Sequence, residues 1–291
     1  MSSNNWEEDS YLDLLYTIRH QGEPRNNERT GVGTLSRFNA SLNFELQGGF
    51  PLLTTKRVPF KSVASELLWF LEGSTDERRL AEIHYDMPRD EIRLENTIWT
   101  ANTDAQGKAL GNENTDTVKE LGPVYGKQWR NFNGVDQIAE LIQGLEENPQ
   151  SRRHILSAWN PGDLNKMALP PCHCFVQFYV TNQGSLNCSM YQRSADLFLG
   201  SPFNIASYSL LTHMIAQVTG LSAGEFNYLI GDAHIYQNHI EAVDTQLSRT
   251  SSAFPRLSID PEIKTIDDFT MKDFEITDYN PQGTIKAPMA V

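Results

Sequence analysis

An α+β fold in one domain is predicted for this chain of 291 residues by three observations. Helix-period and strand-period segments follow one another without the strict βα alternation of a parallel-sheet protein. Hydrophobic residues make up 39% and charged residues 21%, so a core can be buried and wholesale disorder is excluded. No internal repeat, low-complexity tract or linker divides the sequence, and one unit spanning 1–291 is expected.

Taken in order, Tyr11, Leu12, Leu14, Leu15 and Ile18 carry helical spacing, and Gly22 stops them. After the glycine-punctuated segment 29–34, Leu42, Phe44 and Leu46 alternate as a strand. Residues 60–71 read as a strongly apolar helix, and Ser74 with Glu77 supplies a capping box for the next one. The polar stretch 85–119, rich in Asn, Asp, Gly and Thr, reads as a long loop or insertion. Ile138, Leu141, Ile142 and Leu145 mark an amphipathic helix closed by Pro149. Strands are expected over 154–159, 175–180 and 185–192, the last two joined by an Asn-Gln-Gly turn. A buried helix over 203–218 and another around 234–247 complete the chain.

The net charge is −13, which disfavours a protein that coats nucleic acid but leaves room for a small anion held by a few arginines. The opening residues lack the basic and apolar regions of a secretory signal, and the longest apolar run, 67–71, is far too short to span a bilayer. Three cysteines, at 172, 174 and 188, suggest a reducing cytoplasm rather than a disulfide framework.

Cys172 follows two prolines at the mouth of an expected strand, with Cys174 on the same face. A thiol is a nucleophile only as thiolate and needs a nearby cation; otherwise it is simply a small buried side chain. Arg193 and Ser194 suit a phosphate, and Asp196 suits an amino-bearing heterocycle, although the same residues also make an ordinary surface turn. Arg29, Arg152 and Arg153 carry no assignment by themselves. Glu66 sits inside an apolar helix, where a carboxylate needs a partner or a proton-transfer role. Two metal readings fail. Cys172-His173-Cys174 has one intervening residue where zinc deaminases have two, and His239-Ile240-Glu241 follows it instead of preceding it. His234 and His239 are spaced i,i+5, poor for one helical face. No metal is expected.

Eleven segments then occur in one order: RTGVGT (29–34), TTK (54–56), ELLWF (66–70), LGPVYGKQWR (121–130), SRR (151–153), PCH (171–173), YQRS (191–194), Asp196, LGSPFNIASY (199–208), GDAHIY (231–236) and APMAV (287–291). From about residue 10 to the last, the chain resembles the folate-dependent thymidylate synthases. The resemblance implies an α+β homodimer whose large mixed sheets pack back to back, and reductive methylation of dUMP to dTMP. The folate, 5,10-methylenetetrahydrofolate, would give both carbon and hydride and leave as dihydrofolate.

By the same resemblance Cys172 is the thiolate, and Arg193 activates it and helps hold the phosphate. Arg29 and Ser194 would complete that cradle, with Arg152 and Arg153 reaching across the dimer. Glu66, His173 and Tyr125 would form the proton relay, with Tyr125 also assisting removal of the C5 proton. Asn204 would read the uracil edge, and Gln192, His234 and Tyr236 would help bind the nucleotide. Asp196 would hold the pterin. Ile98, Trp99, Leu199, Gly200 and Phe203 would line the folate cleft, with Lys56 near the glutamate tail and Ala290 closing over it. The chain departs from the family pattern at Thr100, usually acidic, and at Asn102, where many members have tryptophan. A dUMP hydroxymethylase, in which water quenches the methylene intermediate, is the nearest rival. A nucleotide- or RNA-binding protein without turnover is the other.

Overall fold

The computed structural model describes residues 5–26, 31–92 and 95–289. Helix α1 (Trp6–Gln21) starts on the Asn5 side chain, which accepts the Glu8 N–H, and buries Tyr11, Leu15 and Ile18 along one stripe. It ends where the Gly22 N–H donates to the Ile18 carbonyl. A Cβ at Gly22 would stand 2.5 Å from that oxygen, so only glycine fits the turn into β1 (Glu23–Arg25). Strand β2 (Thr34–Glu45) alternates as expected, with Ala40, Leu42 and Phe44 inward.

Helix α2 (Phe60–Leu71) is buried from Val63 to Leu71. The next helix, α3 (Glu77–Tyr85), corrects the capping assignment. Its cap is Asp76, whose carboxylate accepts the Arg78 N–H at 3.0 Å. Ser74 lies outside the helix and bonds the Asp76 N–H, and Glu77 turns into the core. The segment expected as a loop is partly helical. A short α4 (Thr100–Asn102) runs straight into a π-turn at Thr103–Gly107, and bridges at Asn114–Lys119 and Asp76–Glu120 tie down its C-terminal end. Helices α5 (Tyr125–Arg130) and α6 (Gln137–Glu147) follow.

Strands β3 (Ile155–Ser157), β4 (His173–Val180) and β5 (Ser185–Asp196) form an antiparallel run. The first is shorter than the sequence suggests, and the third is longer. Helix α7 (Gly200–Val218) then crosses over to β6 (Ser222–Tyr236), and α8 (Ile240–Leu247) and a small hairpin of β7 (Arg256–Ile259) and β8 (Phe274–Thr277) end the described chain. His234, expected at the start of a helix, lies on β6 instead. The long run from Ser222 to Tyr236 pairs on both sides, with β2 and with β5, and that ladder carries the strand through His234 to Tyr236.

The sheet is large and mixed, in the order β1-β2-β6-β5-β4-β3. Among the described strands only β5 and β6 pair in parallel, which is why α7 must cross between them. That helix carries Ile205, Leu210, Leu211, Met214 and Ile215 into one core shared with α1, α2 and the inner sheet face. Phe38, Phe175, Tyr179, Tyr191 and Leu229 remain exposed on four neighbouring strands, leaving part of the sheet uncovered by its own chain.

Candidate active site

Pairing of β4 with β5 is interrupted between His173 and Phe175. This irregularity corrects the expectation that Cys172 and Cys174 share a face. Cys172 and His173, although adjacent, both open on one cleft, whereas the Cys174 thiol is buried and donates to the Tyr191 carbonyl. The third cysteine, Cys188, is in the core, where burial pushes its thiol up to about 12. None of the three cysteines is in a disulfide.

Several groups fix Cys172. Its backbone N–H donates to the Tyr125 hydroxyl at 2.8 Å, and its carbonyl accepts the Arg193 N–H at 2.8 Å. The Arg193 guanidinium is clamped by the Pro170 and Pro171 carbonyls, both at 2.8 Å, and lies over the Trp159 ring. From there its Nη2 reaches the Cys172 sulfur at 3.8 Å. The two prolines thus do more than stiffen the entry to the strand, because their carbonyls aim the cation at the thiol.

Across the cleft, α2 presents Glu66. The Trp99 indole donates to its Oε1 at 2.6 Å, and burial pushes the carboxyl up to about 7. His173 is stacked on Tyr125 and meets the Tyr208 hydroxyl at 2.6 Å; burial pushes it down to about 3, so the ring is neutral. Tyr125 is also buried, which holds its phenol well above the ordinary range. Gln192 is fixed by donation from Tyr228 and to the Ser194 carbonyl. Asp196 accepts the Phe198 and Leu199 N–H groups at the turn into α7, with the His239 ring 3.8 Å away.

The cleft between these groups holds about 420 Å³. Its walls bring together Glu66, Ile98, Trp99, Tyr125, Cys172, His173, Gln192, Ser194, Asp196, Leu199, Gly200, Phe203, Asn204, His234 and Tyr236, drawn from six separate stretches of chain. Two other cavities, of about 440 and 780 Å³, contain no cysteine, so volume alone does not mark the site. No group of three or more His, Cys, Asp or Glu suited to a metal occurs among the described residues, and no helix among them is long and apolar enough to cross a membrane.

The family model for thymidylate synthase matches residues 9–291, nearly the whole sequence. The chain belongs to the thymidylate synthase family. Thymidylate synthases methylate dUMP in a folate-dependent reaction, with methylenetetrahydrofolate as co-substrate.

Against that family background, some expected site residues stand elsewhere. Lys56 is buried behind the cleft wall, its ammonium over the Phe198 ring and donating to the Phe198 carbonyl; burial pushes it down to about 8. It does not line the cleft. Arg152 and Arg153, expected at a partner's phosphate site and not at this one, are exposed just before β3 and do not line this cleft. Arg29 and Ala290 lie outside the described residues. Three wall residues were not singled out from the thymidylate synthase motifs as binding residues: Leu169, Asn102 and Met289. Nor were the supports Tyr208, Trp159 and His239. Tyr208 and Met289 sit inside motif segments, so position could have flagged them; Leu169 and Trp159 carried no such signal.

Proposed function

We propose that this chain makes dTMP from dUMP by reductive methylation and releases dihydrofolate. The observation that carries this reading is the Arg193 guanidinium at 3.8 Å from the Cys172 sulfur, facing a carboxyl poised near neutrality in the same cleft. A cation there favours the thiolate, and a thiolate adds to C6 of a uracil. The electron pair then moves toward C5 and O4. Glu66, able to give or take a proton near neutral pH, serves O4, while Tyr125 assists loss of the C5 proton. Expulsion of the sulfur restores the ring. The bound folate supplies the one-carbon unit and the hydride.

Binding roles follow from chemistry. Asn204 offers a donor for O4 and an acceptor for N3–H, and Gln192, His234 and Tyr236 hold the nucleotide. Arg193 and Ser194 meet the phosphate, joined by Arg29. Arg152 and Arg153, exposed on one chain, would serve the partner's phosphate in a homodimer. The uncovered aromatic face of the sheet is the surface on which a second copy would pack. Ile98, Trp99, Leu199, Gly200 and Phe203 make an apolar slot for the folate rings, with Asp196 for the pterin, and Ala290 would close over them. We read residues 1–291 as a single catalytic domain. Three cysteines outside any disulfide, one of which must stay reduced to act, suit the cytoplasm.

Mass spectrometry of the products from dUMP and methylenetetrahydrofolate tests the proposal. Equal amounts of dTMP and dihydrofolate are expected. Hydroxymethyl-dUMP with tetrahydrofolate would instead make the protein a hydroxymethylase, an outcome to which Asn102, a polar amide on the cleft wall near Trp99, would lend itself.

A further inference from the structure

Behind the Trp99 wall of the cleft lies a second buried carboxylate, Glu77. It is fully buried, and Arg78, its neighbour in sequence, is only 2% exposed. The two pair side by side, with Nε to Oε2 at 2.7 Å and Nη2 to Oε1 at 2.8 Å. An ion pair removed from water is costly compared with apolar side chains of similar volume, so its presence calls for a return elsewhere. That return is visible at Oε1, which also accepts the Thr97 hydroxyl at 2.6 Å and the Thr100 hydroxyl at 2.5 Å.

A carboxylate can only accept, so each threonine gives its single proton to Glu77. The lone pairs are thereby turned toward the chain. Thr97 Oγ1 accepts the Trp99 N–H at 3.1 Å, and Thr100 Oγ1 accepts the Thr97 N–H at 2.8 Å. Trp99 stands between these two threonines, and its indole N–H goes the other way, to Glu66. One carboxylate therefore holds the backbone around Trp99, and another holds its ring. The polarity of the whole cluster is set by Glu77.

We propose that Glu77 is a positioning residue, which acts through Thr97 and Thr100 to place the Trp99 indole against Glu66 and to fix the folate side of the cleft. Its kinetic consequence rests on the reaction proposed above; its structural consequence does not. Because the pair with Arg78 must stay intact, the test uses the threonines. A Thr97→Val/Thr100→Val variant removes both hydroxyls without leaving an unpaired charge, and Thr97→Ser/Thr100→Ser retains them. Two measurements are made: steady-state kinetics with dUMP and methylenetetrahydrofolate, and the indole N–H resonance of Trp99 in nitrogen-15-labelled protein without substrate, assigned with Trp99→Phe.

In the valine variant we expect the folate KM to rise roughly tenfold and dUMP binding to stay within about twofold, as for loss of a charge-assisted link on one wall. The Trp99 resonance should move upfield as its bond to Glu66 weakens, and the serine variant should restore both readings. A valine variant with an unmoved resonance overturns the proposal, as does equal weakening of folate and dUMP binding. If wild-type protein methylates nothing, the proposed reaction fails, yet the Trp99 resonance still decides the role of Glu77. Should the double variant not fold, Thr100→Val alone is read the same way.

Discussion

The imidazole of His173 lies flat on the Tyr125 ring, with 4.0 Å between centroids and 16° between planes. A ring stacked there, and bonded to Tyr208, is poorly solvated for a charge, which is why burial pushes it down to about 3. Its Cε1 proton should show no titration between pH 5 and 8 in NMR. A midpoint near 6.5 would contradict the neutral assignment. The unfolded chain takes up a proton near 6.5 that the folded chain refuses until about 3. This site therefore weakens folding as pH falls below about 6.5.

Glu66 has the opposite sign. Its folded carboxyl titrates near 7, against 4.5 when unfolded, so the folded state keeps a proton that the unfolded state has lost. Stability from this group is full below about 4.5 and declines as pH rises through 7, by about 3 kcal/mol in all. Glu66→Gln should remove that slope in urea titrations at pH 5 and 8. It should also lower kcat by about 10² to 10⁴, because an amide cannot exchange the proton. An unchanged kcat would take Glu66 out of the relay.

Cys172→Ala should still bind dUMP, since the cradle around it is built from other residues. It should release no tritium from 5-labelled dUMP. Tritium release at the wild-type rate would show that the sulfur does not add to the ring.

The Cys172 N–H has the Tyr125 hydroxyl as acceptor. Tyr125→Phe leaves that N–H without it, a loss of about 1 kcal/mol or more, and lets the thiol wander. Adduct formation with 5-fluoro-dUMP and methylenetetrahydrofolate should slow roughly tenfold. If the rate holds, another group aims the sulfur.

Much of the fold was legible where one physical signal dominated. The long apolar runs of α2 and α7, buried on most faces, and the one-sided alternation in β2 announce themselves, because each kind of burial leaves its own pattern in sequence. Strand β6 did not: Phe226, Tyr228 and Ile230 alternate in it, but Gly224, Gly231 and Asp232 interrupt the run. Its nature is decided by β2 and β5, residues far away in the chain. Motifs named nearly every wall of the cleft, but not its supports. Nothing local says that the proline carbonyls clamp Arg193, or that Asp76 rather than Ser74 caps α3. These depend on which backbone atoms meet in three dimensions. Lys56 shows the same limit, for a lysine in a motif reads as exposed until its ammonium is found over Phe198.

The lone parallel pairing in the sheet also bears on how the chain is made. Strand β6 fits between β2 and β5, so those two cannot be joined until residue 236 has left the ribosome. Until then a nascent chain that already contains Cys172 and Arg193 presents two open sheet edges and an uncovered α7. During synthesis the cleft, which takes His234 and Tyr236 from β6, is therefore among the last parts of the fold to close.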